Sequence, residues 1–77
     1  MPEHVPKELE AMPPTAKLVY RILEYEGKLT QQELRRETLL AQRTVYNALR
    51  DLKELDAIDS HPNSQDLRQT IYYTNSS

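Results

Sequence analysis

The stretch Leu29 to Leu55, LTQQELRRETLLAQRTVYNALRDLKEL, divides into a short helix, a turn of about three residues and a longer second helix. That is the outline of a helix-turn-helix. The start of the first helix is marked twice. Thr30 stands at an N-cap position with Glu33 three residues on, so each side chain can satisfy a backbone N–H that the helix leaves orphaned. Leu29, just before the cap, can close on Leu34 as a hydrophobic staple. In the second helix Val45, Ala48, Leu49, Leu52 and Leu55 recur at helical spacing and predict an inward face. Gln42, Arg43, Tyr46, Asn47 and Arg50 fall on the other side, a face suited to hydrogen bonding.

The rest of the chain is small. Its 77 residues allow one domain with a modest core, and without Trp or Phe that core must come from Leu, Ile, Val and the five Tyr. The absence of Cys excludes disulfides, thiol catalysis and Cys-based zinc sites, and fits a reducing cytoplasm. No apolar run is long enough for a membrane span, and the N-terminus lacks a signal-peptide pattern, so a cytoplasmic location is expected. The net charge of −2 offers no whole-molecule attraction to nucleic acid. Its distribution is more informative. Before Gly27 five acids face three bases, whereas from Gly27 to Asp56 six bases (Lys28, Arg35, Arg36, Arg43, Arg50, Lys53) face five acids. Asp51, Glu54 and Asp56 gather at the end of the second helix, where they oppose its dipole.

Residues 1–14 hold four of the five prolines and show no sustained period, which reads as a flexible or weakly structured segment. The alternative is a short helix from Pro6 to Met12, with Pro6 at its first position and Leu9 and Met12 packing on the domain or on a second subunit. Thr15 is the expected N-cap of a helix running to about Glu26, with Leu18, Val19, Ile22 and Leu23 as its apolar stripe and Tyr25 at the edge. Gly27 ends it. Tyr20 reads equally as a core-edge, dimer or DNA-contact residue. After the second motif helix, Ala57 to His61, a turn-prone Pro62 to Asp66, and Gln69 to Thr74 read as a β-hairpin. Arg68 is its only base, and one of Tyr72 and Tyr73 must face inward because strand neighbours alternate sides. Residues 75–77 read as a frayed end. The expected fold is mainly α with a small β-hairpin (α+β), namely three helices plus a C-terminal wing over residues 15–74.

With Leu29-Thr30, Glu33-Leu34, Arg43-Thr44-Val45, Leu49, Leu52 and Ala57-Ile58 in place, the segment resembles the helix-turn-helix of winged-helix regulators. It is most similar to small archaeal and bacterial proteins akin to the MarR and TrmB families, over roughly Thr15 to Thr74. In that group Lys28-Leu29 corresponds to a short strand that pairs with the wing. There are two departures. Leu39 falls where the turn often has glycine, and Ala41 where the second helix often has a Ser or Thr cap; Leu resists a left-handed conformation and Ala cannot cap.

The resemblance implies a transcriptional regulator binding double-stranded DNA, with the second motif helix, about residues 41–55, in the major groove. Gln42, Arg43, Tyr46 and Asn47 then lie toward base edges, Thr44 is a further candidate DNA contact, and Arg50 lies toward phosphate. Thr30 and Gln31 could receive a phosphate at the first helix's N-terminus, and Arg68 could reach the minor groove or backbone. Against this, Arg43, Arg50, Arg35 and Arg36 also read as a solvated face, with Arg50 able to pair with Glu54 and Lys53 with Asp56. A second function class is a winged helix for protein–protein contact in a transcription assembly. The acidic balance favours it, and the polar second-helix face opposes it. RNA or single-strand binding is a third, resting on Tyr72 or Tyr73. Nothing points to an enzyme: His4 and His61 are far apart, Ser60 and Ser64 read as strand and turn residues, and a single glycine cannot build a phosphate loop. No cofactor, metal or small-molecule ligand is expected. Since so few bases would hold DNA weakly alone, a homodimer through the N-terminal segment and first helix is expected.

Overall fold

The computed structural model of the chain describes residues 7–75. In order, these form α1 (Lys7–Glu10), α2 (Pro14–Glu26), β1 (Lys28–Thr30), α3 (Gln31–Thr38), α4 (Gln42–Glu54), β2 (Ile58–Asn63) and β3 (Asp66–Thr74). Pro6, expected to open an N-terminal helix, and Ser76 and Ser77 lie outside the described residues. The three longer helices and the hairpin are those expected from the sequence. One turn of helix, α1, precedes them.

The core is built mainly by α4 and α2. Val45, Ala48, Leu49 and Leu52 of α4 meet Ala16, Val19, Tyr20 and Leu23 of α2, and Leu34, Leu29, Ile58 and Ala57 close the space around them. Each Leu, Ile or Val fully removed from water contributes about 1.5–3 kcal/mol. Leu9 is buried in the same cluster, and Met12 packs against it, so the packed unit starts before Thr15. The inward face of α2 is rotated from the expected stripe. Ala16 and Tyr20 replace Leu18, which is turned outward, and Tyr25 is exposed. The small Ala16 lets α2 approach α4, and Tyr20 supplies the bulk of the missing Phe or Trp. A DNA contact by Tyr20 is thereby removed.

Helix α2 starts one residue before the expected cap. Pro14 takes the first position, its ring fixing a helical φ, and Pro13 is the N-cap with no side-chain bond. The Pro13 carbonyl accepts from the N–H of Ala16 (3.0 Å) and of Lys17 (3.2 Å), which leaves Thr15 inside the first turn rather than capping it. At the other end Gly27 has φ 98° and ψ −87° and donates to the Leu23 carbonyl at 2.8 Å. L-residues avoid this backbone conformation.

The capping box at Thr30 is complete. Thr30 N–H donates to Glu33 Oε1 at 2.8 Å, and Glu33 N–H to Thr30 Oγ1 at 3.2 Å. Leu29 and Leu34, the staple, are both buried. Between α3 and α4 the departure at Leu39 has a visible solution. Leu39 does adopt the left-handed conformation, φ 61° and ψ 19°, with its side chain 89% exposed. Thr38 holds the turn from both sides: its hydroxyl donates to the Leu34 carbonyl at 2.7 Å and accepts from the Leu40 N–H at 3.2 Å. Ala41 caps α4 without a side-chain bond, as its chemistry requires. Helix α4 ends in a Schellman motif, with Ala57 N–H on the Leu52 carbonyl (2.9 Å) and Asp56 N–H on that of Lys53 (3.0 Å). Asp56 sits at the left-handed position, φ 61°, where glycine is the usual residue.

The sheet order is β1-β3-β2, all antiparallel, with β1 pairing Leu29 to Tyr72 and Thr30 to Ile71. This is the expected pairing of Lys28-Leu29 with the wing. The hairpin is longer than the sequence suggested. Pro62 lies within β2 and pairs with Thr70, which an edge strand tolerates because no neighbour needs its missing N–H. The turn narrows to Ser64-Gln65, held by the Gln65 N–H on Asn63 Oδ1 at 3.0 Å. Asn63 then pairs with Asp66, so Leu67, Arg68 and Gln69 bulge from β3 between Asp66 and Thr70. Asn75, read as part of a frayed end, donates its N–H to the Ala57 carbonyl at 2.9 Å.

Two of the three positive-φ positions, Gly27 and Asp56, predict opposite mutational signs. A Cβ at Gly27 would meet nothing within 4 Å, so Gly27→Ala should lower stability through the backbone alone, by about 1–2 kcal/mol. Asp56→Gly should raise it by about 0.5–1 kcal/mol, relieving the strain and a carboxylate at the negative end of α4. Urea denaturation of both variants checks this; equal signs would refute it.

Candidate nucleic-acid interface

Burial of Val45, Ala48, Leu49 and Leu52 fixes which side of α4 meets solvent. Opposite that stripe, Arg43, Asn47, Arg50 and Glu54 fall in one row at helical spacing. Arg43, Arg50 and Glu54 are exposed and Asn47 is half-buried. Beside them, Gln42, Tyr46 and Lys53 turn toward the wing, with Tyr46 54% exposed. Thr44 is half-buried on the opposite flank. The local pairings expected for the two bases are not the ones formed. Arg50 lies 3.4 Å from Asp51 Oδ1 rather than against Glu54, and Lys53 Nζ reaches across to Ser60 Oγ on β2 at 3.0 Å rather than to Asp56. The Schellman turn carries Asp56 away from the helix, while β2 runs past Lys53. This bond ties the second motif helix to the wing.

A polar cleft of about 250 Å³ opens where the starts of α3 and α4 meet β3. It gathers Thr30, Gln31, Gln42 and Arg68, four of the candidate contacts, together with Gln32 and Arg35. Arg35 read from the sequence evenly as a DNA contact or a solvated charge, and its spacing of four from Gln31 places both on one side of α3. Arg68 is held by its neighbour Asp66: both its N–H (3.1 Å) and its Nε (3.2 Å) donate to Asp66 Oδ1. Its side chain is nevertheless 90% exposed, and an ion pair so open to water holds it by no more than about 1 kcal/mol. It remains free to exchange Asp66 for a phosphate. At the α3 N-terminus the capping box occupies the Thr30 and Glu33 N–H groups, leaving those of Gln31 and Gln32 to other acceptors. Glu33 also keeps a carboxylate there. An acidic corner lies at the far end of α3, where Glu37 holds its proton above the usual carboxylate range through a hydrogen bond with Glu26, some desolvation, and the charges of Glu26 and Glu33.

The two wing tyrosines divide as alternation requires. Tyr72 packs against the core and shares with Tyr46 and Lys53 a groove between α4 and the sheet. Tyr73, on the outer face, meets the His61 ring at 5.5 Å between centroids and lies under Lys28 Nζ at 5.6 Å. Among the described residues no cluster of three or more His, Cys, Asp or Glu is placed to hold a metal, and no helix is long and apolar enough to cross a membrane.

No protein-family model and no curated protein matches the chain. Solved structures do. A probable transcriptional regulator from Pseudomonas aeruginosa superimposes with a TM-score of 0.79 at 20% identity, over 83% of this chain and 48% of that one. A MarR crystal structure gives 0.80 at 19% identity, over 88% and 49%. Reduced AbfR bound to DNA gives 0.79 at 20% identity, over 90% and 50%. The likeness is one of fold, the winged helix, and the chain spans about half the length of the structures it matches.

Burial pushes the Tyr72 phenol above its ordinary value of 10.0, and the neighbouring Tyr46 adds to the effect. Tyr20 is raised by burial first and then by Glu24. An unfolded chain releases these protons more readily than the folded one. Their contribution is therefore complete below about pH 10 and lost as pH rises through the raised folded values. Urea midpoints should fall as pH increases past about 10, and less steeply in Tyr72→Phe.

Proposed function

We propose that the chain binds double-stranded DNA as part of a transcriptional regulator, with α4 entering the major groove and the α3–wing cleft seated on the backbone. The observation that carries this reading is the convergence of Arg35 and Arg68, from separate elements, in one polar cleft beside the outward row of α4. Phosphate contacts of this kind fix register, while base-edge contacts specify sequence. Arg43 has the geometry for guanine, and Asn47 and Gln42 for adenine. Arg50 and Arg68 exchange weak pairs with Asp51 and Asp66 for phosphate oxygens. Thr30 contributes by holding the helix start, and Gln31 by its place in the cleft. Thr44 flanks the row and Tyr46 adds apolar surface beside it. The DNA-bound neighbour is consistent with the same use of this fold.

The footprint is thin. Three phosphate-facing cations, Arg35, Arg50 and Arg68, predict a slope of about −3 for log affinity against log salt. Fluorescence anisotropy with labelled mixed duplexes, at low and moderate salt, measures it. Arg35→Ala and Arg68→Ala should each weaken binding to every duplex alike and reduce the slope by about one. Arg43→Ala and Asn47→Ala should instead flatten sequence preference, by about 1–3 kcal/mol at the affected base pair. Absence of binding at low salt by the folded protein would overturn the reading and leave a protein-contact role for the same fold.

A further inference from the structure

Tyr20 is only 2% exposed, yet its phenol oxygen makes no hydrogen bond among the described residues. Buried tyrosines ordinarily find a partner for this group, and one left without a partner asks for an explanation. Glu24 acts on it electrostatically and forms no hydrogen bond with it. The same side chain lines a cleft of about 270 Å³ between α1 and α2. Leu9 and Glu10 form the α1 side, while Lys17, Tyr20 and Arg21, at i, i+3 and i+4, form the α2 side. Glu10, Lys17 and Arg21 are exposed, and none is in an ion pair with another described residue. Charges of both signs therefore line one cleft without closing on one another, beside an unused hydroxyl and an apolar wall. None of these five residues is among the proposed DNA contacts.

We propose that this cleft binds a free α-amino acid with an apolar side chain. The ligand's carboxylate meets Lys17 and Arg21, whose guanidinium can hold both oxygens at once. Its ammonium meets Glu10. The Tyr20 phenol donates to the carboxylate and so gains the partner that the chain itself does not supply. The ligand's side chain lies against Leu9 and the Tyr20 ring, the combination of apolar wall and few polar groups usual in small-molecule sites. A plain anion would leave Glu10 opposed to it, and a plain cation would leave the two bases so, which makes a zwitterion the fitting charge pattern. The other clefts carry no such signal. The α3–wing cleft and the groove at Tyr46 and Arg50 belong to the DNA face, and the shallow one at Leu39 contains no buried polar side chain. Because the three charged residues are exposed, water competes with each contact, and a dissociation constant of about 1 mM is expected.

An NMR titration of the isotope-labelled 77-residue chain with L-leucine, without DNA, tests this separately from nucleic-acid binding. The expected result is a saturable shift confined to the amides of Leu9, Glu10 and Lys17 to Arg21, half-complete at about 1 mM. N-acetyl-L-leucine lacks the ammonium and L-leucinamide lacks the carboxylate, and each should bind about tenfold more weakly. Glu10→Gln should weaken leucine binding about tenfold and leave that of N-acetyl-L-leucine unchanged, while Arg21→Gln should spare L-leucinamide in the same way. Tyr20→Phe keeps the bulk of the ring in the core. It should weaken leucine binding and leave the urea midpoint of the ligand-free protein no lower than that of wild type, since the phenol has no bond to lose. Absence of a saturable shift overturns the proposal. So does N-acetyl-L-leucine binding as tightly as leucine, or a Tyr20→Phe midpoint below that of wild type.

Discussion

The reciprocal bonds between Thr30 and Glu33 sit at the joint on which this molecule turns. Thr30 is at once the last residue of β1, paired with Ile71, and the N-cap of α3. One buried residue therefore ends a strand, starts a helix, and sets the angle between the wing and the helix-turn-helix. Its hydroxyl accepts from the Glu33 N–H and its own N–H donates to Glu33 Oε1, so side chain and backbone both serve the helix start. Without the Glu33 side chain the Thr30 N–H would be left inside the protein with no acceptor, and that cost exceeds what an ordinary surface hydrogen bond contributes. The Leu29–Leu34 staple beneath it turns a local cap into a connection with the core. The polar cleft, lined from both sides of this joint, owes its shape to it.

Much of the architecture was legible because it rests on periodicity and on neighbours in sequence. The inward stripe of α4, the capping box and the end of α2 at Gly27 all follow from residues within a few positions of one another, whereas the short strand before α3 was expected only from the family resemblance. Departures arose where two local signals competed. At the start of α2, Thr15 is the better cap, but Pro14 before it fixes the backbone first. On the same helix, Leu18 looked like core by type and Tyr25 like its edge, yet Ala16 and Tyr20 occupy the inward side and both of the others are exposed. Hydrophobicity alone does not say which of two overlapping stripes meets its partner helix.

The candidate site was legible in part for a related reason. The outward row of α4 could be read from spacing. The company that Arg68 keeps could not, since Arg35 and Arg68 are brought together by a strand pairing more than thirty residues apart in sequence. Nor could the Lys53–Ser60 bond, which depends on how the chain leaves α4. Local pairing rules assigned Lys53 to Asp56, and the left-handed turn at Asp56 took that partner out of reach.

The bulge in β3 has a bearing on how such a domain can change. Leu67, Arg68 and Gln69 have no opposite numbers on β2, while the ladder from Pro62–Thr70 to Ile58–Thr74 keeps an unbroken register. Residues can be added to or lost from this loop without moving Tyr72 off Ser60 or turning any inward side chain outward, the usual penalty of altering a strand's length. The wing tip is thus an interchangeable cassette on a fixed frame. Descendants of one ancestral domain could acquire a longer reach, a different charge or a blunter edge at this end while inheriting the same helices and the same core.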